Sequence, residues 1–133
     1  MRKDRRPPDD PHAWLDRARS NLIRAEHTIP DVYLEDLCFD AQQAAEKALK
    51  ALCIENSISF PYVHDLARLI TLLEEEGISV PDEVREAARL TRYAITTRYP
   101  GLDEPVSEGD YERAVRIANR VVEWVSAQIE DPS

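Results

Sequence analysis

Arg85, Arg89 and Arg92 stand at positions i, i+4 and i+7, with Arg98 further along and Tyr93 and Tyr99 each following an arginine. On an α-helix this spacing gathers the first three guanidiniums on one stripe. Guanidinium groups hold phosphate through paired, charge-assisted hydrogen bonds, and tyrosine rings stack against bases. The segment therefore reads as an anion or nucleotide site, with Arg92 and Arg98 toward the phosphate and Tyr93 and Tyr99 as stacking or hydrogen-bonding groups. A plainer reading competes with it: a solvated face whose arginines pair with Glu83 and Glu86 at little gain in stability. The net charge of −9 narrows the choice. Sequence-blind, high-affinity nucleic-acid binding depends on neutralising many phosphates, and an acidic chain argues against it while leaving room for one small basic site. The acidic surplus favours a partner with a basic face.

No other chemistry is spelled out as clearly. There is no Cys/His cluster with zinc spacing, no glycine-rich phosphate loop and no Ser/His/Asp order, so neither a metal nor a cofactor is expected. Cys38 and Cys53 fall on one predicted helix, about 22 Å apart along its axis. That is too far for a disulfide, and both read as small core residues. His64-Asp65 opens a helix after a loop, where Asp65 complements the helix dipole. His27 falls outside the apolar stripe of its helix and reads as a solvated surface residue.

The elements that must position these groups are helical. With 133 residues, only three glycines, 43% hydrophobic and 32% charged residues, the chain fits one mostly helical domain large enough for a real core. Residues 1–11 are proline-containing and charged, and are expected to form a disordered tail; the helical domain spans 12–131. Helices are predicted over 12–29, 32–55, 64–76 and 82–97, with Gly77 as a C′ stop and Pro81 at a helix start. Ser107 with Asp110 makes a capping-box variant before the last helix. In that helix Tyr111, Val115, Ala118, Val122, Val125 and Ile129 form one seam, and Ile117, Val121 and Trp124 a second strip beside it. An arc that wide belongs to a central helix or to one shared with a second subunit. The expected fold is an all-α, five-helix up-and-down bundle. No apolar run approaches the roughly 18 residues of a membrane span, and the basic N-terminus lacks the apolar segment of a secretory signal, so a cytoplasmic location is expected.

The second predicted helix is the most distinctive. Leu34, Leu37, Cys38, Ala41, Ala45, Ala48, Leu49 and Leu52 form an apolar stripe, with Asp36, Asp40, Gln43, Lys47 and Lys50 on an expected solvent face. Glu46 and Lys50 form an i, i+4 pair worth a few tenths of a kcal/mol on an exposed helix. The run from Gln42 through Glu46 and Lys50 to Ala51, followed by His64-Asp65-Leu66 and then Arg92 and Arg98-Tyr99-Pro100, resembles the HEPN domain family. The branch it is most similar to is usually encoded beside a minimal nucleotidyltransferase, and the resemblance covers nearly the whole chain.

HEPN ribonucleases carry an Arg, four to six residues and a His. The imidazole moves protons at the ribose hydroxyl and the leaving oxygen, and the guanidinium stabilises charge on the phosphate. In one subgroup a Tyr follows two residues after the His. Here the matching string runs from Arg92 to Tyr99, with Thr97 at the His position. A hydroxyl does not exchange protons near pH 7 as an imidazole does, and Arg98 cannot lose its proton. Arg5 and Arg6 stand at the right distance before His12, but in the tail, where nothing packed would orient them.

The resemblance implies three functions: the HEPN partner of a minimal nucleotidyltransferase in a toxin–antitoxin-like pair, with Tyr99 as the adenylated residue; an active endoribonuclease using another His; or a non-catalytic module binding nucleotide or RNA. The missing His favours the first over the second, and the Arg/Tyr segment sustains the third. The family's self-association and the double strip of the last helix point to a homodimer.

Overall fold

The computed structural model describes residues 9–62, 64–94 and 105–130. Five α-helices lie in these stretches: α1 (Pro11–Glu26), α2 (Leu34–Glu55), α3 (Leu66–Glu75), α4 (Asp82–Arg85) and α5 (Glu108–Glu130). A 3₁₀ helix, Glu86–Ala94, continues directly from α4. No strand occurs among the described residues.

Local sequence sets most of the boundaries. The Asp10 carboxylate accepts the His12 amide at 2.8 Å, and Pro11 occupies the first turn of α1, where its missing N–H costs nothing. Asp65 is the N-cap of α3 rather than a residue of its first turn, accepting the Ala67 amide at 3.1 Å. Ser107 and Asp110 close a reciprocal capping box on α5: the Asp110 amide donates to Ser107 Oγ at 3.0 Å and the Ser107 amide to Asp110 Oδ2 at 3.2 Å. Gly77 sits at φ +87° past the end of α3. Its amide and that of Ile78 return to the carbonyls of Glu74 and Leu73, the double bond of a Schellman stop. Helix α1 ends three residues earlier than predicted, and Ile29 is exposed rather than packed. Ile29 precedes Pro30, whose ring disfavours helical geometry at that position.

Helix α1 runs antiparallel to both α2 and α5. Asn21 meets Asp40 and Lys47 on α2, Arg19 reaches Ser126 and Glu130 on α5, and the buried Tyr111 hydroxyl donates to the Ala25 carbonyl at 2.5 Å. Helix α2 is central, packed by α1, α3, α5 and the 3₁₀ segment. Its alanines at 41, 44, 45, 48 and 51 are fully buried and let these neighbours approach closely.

That centrality corrects the expected solvent face of α2. Asp40 and Lys50 are buried, Gln43 and Lys47 half-buried, and only Asp36 is exposed. Surrounded on four sides, α2 has little face left for water, and its polar groups are satisfied by one another and by α1. The second strip of α5 is resolved in the same way: Ile117 and Val121 are core and Trp124 packs partly against it. Its width is thus accounted for inside one chain.

The densest polar cluster surrounds Glu46, whose side chain is 4% exposed. One oxygen accepts from Lys50 Nζ at 2.8 Å; the other accepts from Gln42 Nε2 at 2.8 Å and His64 Nδ1 at 2.9 Å. The Lys50 ammonium, equally buried, lies 5.5–5.8 Å from the ring centroids of Trp14, Phe60 and Tyr62, within cation–π range. The i, i+4 pair is therefore an interior clasp joining α1, α2 and the loop before α3. Burial pushes the Glu46 carboxyl up, but the hydrogen bonds from Lys50, Gln42 and His64, with the Lys50 charge, outweigh it and hold the group below the usual carboxylate range.

Glu46→Gln should lower the unfolding free energy by about 3 kcal/mol, because it leaves a buried ammonium without its counterion. The folded pKa lies below the unfolded one, so the clasp contributes fully above the ordinary value of 4.5 and is lost as pH falls below it. Urea denaturation from pH 3 to 7 should show this fall in the native protein and a flatter profile in the variant. Burial also raises the Cys38 and Cys53 thiols to about 12 and about 11. Neither should be alkylated by iodoacetamide at pH 8 in the folded chain, and both should be in denaturant; intact mass reads the difference.

Candidate functional site

The predicted arginine stripe falls where the helix changes type. From Glu86 the chain repeats every three residues, and positions i and i+3 eclipse in a 3₁₀ helix. Ala87, Leu90 and Tyr93 are buried at that spacing, while Glu86, Arg89 and Arg92 form an exposed row. Arg89 and Arg92 are therefore aligned, and Arg85 is turned away. Arg85 pairs with Glu74 on α3 and, at 3.9 Å, with Asp82. Glu83 pairs instead with Arg120 on α5 at 2.9 Å. The expected pairing of the arginines with Glu83 and Glu86 is not made, because the 3₁₀ turn and the approach of α3 and α5 reassign the partners.

Arg89 and Arg92 line an open pocket of about 340 Å³ between the 3₁₀ segment and the first turns of α5. Arg113 and Asp110 line it from α5, with Leu90, Tyr93 and Ile117 among the apolar residues behind. The Arg92 guanidinium lies 5.1 Å from the Tyr93 ring centroid. Tyr93 is 5% exposed, and burial pushes its phenol up, so it serves as a neutral wall. Arg113 is 3.7 Å from Asp110. The hydrogen bonds from Ser107 hold the Asp110 carboxyl below its usual range, helped by Arg92 and Arg113. The arrangement suits anion binding: three forked donors, one fixed carboxylate, and no group in the described lining that exchanges protons near neutrality.

Of the residues assigned from sequence, Arg92 and Tyr93 fall in this pocket. Thr97, Arg98 and Tyr99 lie outside the described residues. Arg113 and Asp110 were missed: nothing in the linear sequence connects them to position 92, although the capping box placed Asp110 in the first turn of α5. The histidines lie elsewhere. His64 is bound to Glu46, His12 lies by Asp10, and the exposed His27 is 2.6 Å from the Ile23 carbonyl. Among the described residues no group of three His, Cys, Asp or Glu side chains could hold a metal, and no helix is long and apolar enough to cross a membrane.

The described residues form an all-α fold of five α-helices around a central alanine-rich helix. Residues 11–128 match the family profile of the HEPN domain, and the chain belongs to that family. The crystal structure of TT1696 from Thermus thermophilus superposes with a TM-score of 0.76 at 31% identity, over 90% of this chain and 98% of that one. ST0689, an archaeal HEPN homologue, superposes with a TM-score of 0.72 at 26% identity, over 96% and 99%. No curated protein sequence matches the chain.

Proposed function

We propose that this chain is the HEPN subunit of a two-protein, toxin–antitoxin-like module, acting with a separately encoded minimal nucleotidyltransferase and lacking ribonuclease activity of its own. The observation that carries the reading is the string Arg92 to Tyr99 within a HEPN chain: its Arg and Tyr are present and Thr97 replaces the His. Without an imidazole there is no group at that position to take the proton from a ribose hydroxyl. Tyr99 then stands as the residue the nucleotidyltransferase adenylates, and Arg92 and Arg98 as groups that hold the added phosphate. Self-association of the subunit as a homodimer and a cytoplasmic location belong to the same proposal.

A second reading, a nucleotide-binding module without catalysis, draws support from the Arg89, Arg92 and Arg113 pocket. The two are compatible, since a pocket that binds phosphate serves either a free nucleotide or one attached to the chain.

Co-expression with the product of an adjacent nucleotidyltransferase gene should co-purify the two proteins. Incubation with ATP and magnesium should then raise the intact mass of this chain by one or more adenylate units, and Tyr99→Phe should abolish the gain. An unchanged mass with a demonstrably active partner refutes the assignment of Tyr99. The isolated protein should leave tRNA and mRNA intact in the absence of metal; cleavage that disappears in Arg92→Ala would refute the inactive reading. Thr97→His is the complementary variant, expected to gain activity if proton transfer is the only missing step.

A further inference from the structure

We infer that a second copy of this chain docks on the groove between the end of α1 and the start of α2, in a twofold contact around Ile23, Ile29 and Val32. The contact rests on the homodimer reading and adds to it the face and the charge pairs.

Burial points to this end of the bundle. The apolar width of α5 is taken up inside one chain, so an interface between copies needs another face. Among the described residues the large hydrophobic side chains left exposed are Ile23, Ile29, Val32, Tyr33 and Tyr62. All but Tyr62 fall within residues 23–33. A single exposed apolar residue is ordinary, but a group of them marks an interaction surface. Ile23, Ile29 and Val32 line one open groove of about 690 Å³, with the buried Leu37 also in its lining. The turn that carries two of them is closed. The Val32 amide donates to the Ile29 carbonyl at 3.1 Å around Pro30 and Asp31, and Asp31 takes φ +73°. Proline followed by a left-handed residue is the type II pattern. Ile29 and Val32 are thus held in place before any partner arrives, which lowers the ordering cost of association.

Charge names the occupant. The α1 side of the groove brings Arg24 and His27, and the α2 side Asp36 and Asp40. Asp40 is buried and accepts from Asn21 at 3.1 Å. Arg24 lies 3.5 Å from Asp40 but keeps its side chain 69% exposed. Asp36 is exposed and makes no ion pair or side-chain hydrogen bond among the described residues. In a twofold contact residue i of one copy meets j of the other, and j meets i. A groove with a cationic edge on one helix and an anionic edge on the next satisfies that symmetry with itself. Arg24 meets Asp36 of the second copy, and Asp36 meets its Arg24. A partner bearing charge of one sign would set one edge against its like.

Sedimentation velocity of the full chain over micromolar concentrations tests the contact. The native chain should dimerise, and Ile29→Asp should weaken the dimer at least tenfold. Arg24→Asp and Asp36→Arg should each weaken it at least tenfold alone, since each opposes like charges across the axis. An equimolar mixture of these two variants should recover native affinity, because every such contact then joins opposite charges. Circular dichroism confirms that each variant is folded, and rescue in the mixture reads the contact independently of stability. A native dimer indifferent to all three substitutions overturns this surface and leaves the homodimer standing on another face. A mixture no tighter than its components overturns the twofold pairing. A native chain that stays monomeric overturns both the surface and the homodimer; if Ile29→Asp then abolishes co-purification with the nucleotidyltransferase, that protein is the occupant instead.

Discussion

The fold depends on a buried carboxylate. Glu46 lies in the middle of the central helix and binds Lys50, Gln42 and His64 at once. A carboxylate and an ammonium taken out of water cost several kcal/mol each unless their remaining hydrogen-bonding positions are filled. Here they are: no buried side-chain nitrogen or oxygen among the described residues lacks a partner. The consequence is long-range. His64 must come back to α2 to complete the set, which fixes the loop after α2 and delivers Asp65 to cap α3. Phe60 of the same loop and Trp14 of α1 lie beside the ammonium, with the exposed Tyr62 also within cation–π range. The Gln42, Glu46, Lys50 and His64 pattern thus serves the fold.

The arginine pocket is built by a change of helical period. A run in which Ala87, Leu90 and Tyr93 must all face inward fits three residues per turn better than 3.6, and the chain adopts a nine-residue 3₁₀ helix. Such runs are uncommon because side chains at i and i+3 eclipse and the hydrogen bonds are poorer. At this position the eclipse is useful: the same three-residue step that buries the apolar row aligns Arg89 and Arg92 on a neighbouring, exposed row. Thr91, between them, accepts the Leu66 amide at 3.1 Å through its hydroxyl, tying the segment to the start of α3. The clasp at Glu46 and the arginine row are therefore joined mechanically through residues 64 to 66.

Periodicity and capping made much of this legible in the sequence. The order of the helices, the box at Ser107 and Asp110, the stop at Gly77 and the alanine stripe of α2 are all local properties, and the structure agrees with each. Local patterns failed where burial is decided by distant residues. A lysine such as Lys50 usually belongs on a solvent face; the neighbours that pack α2, with Trp14 and Phe60 distant from it in sequence, put it inside. Arg85 was joined to Arg89 and Arg92 by α-helical spacing, and the 3₁₀ turn separated them. Arg113 was invisible as a site residue for the same reason, since its relation to Arg92 exists only after α5 has packed against the 3₁₀ segment.

Separating the clasp from the pocket also separates binding from proton transfer. Every strong donor in the described part of the pocket is a guanidinium, which stabilises negative charge but cannot act as a base. The histidines that could exchange protons are committed elsewhere, His64 to the Glu46 carboxylate. Guanidiniums can stabilise an anion there but supply no base. The acidic remainder of the surface reinforces the distinction. At physiological ionic strength fields are screened over about 8 Å, so three guanidiniums can attract a small anion locally while the chain as a whole repels a long polyanion.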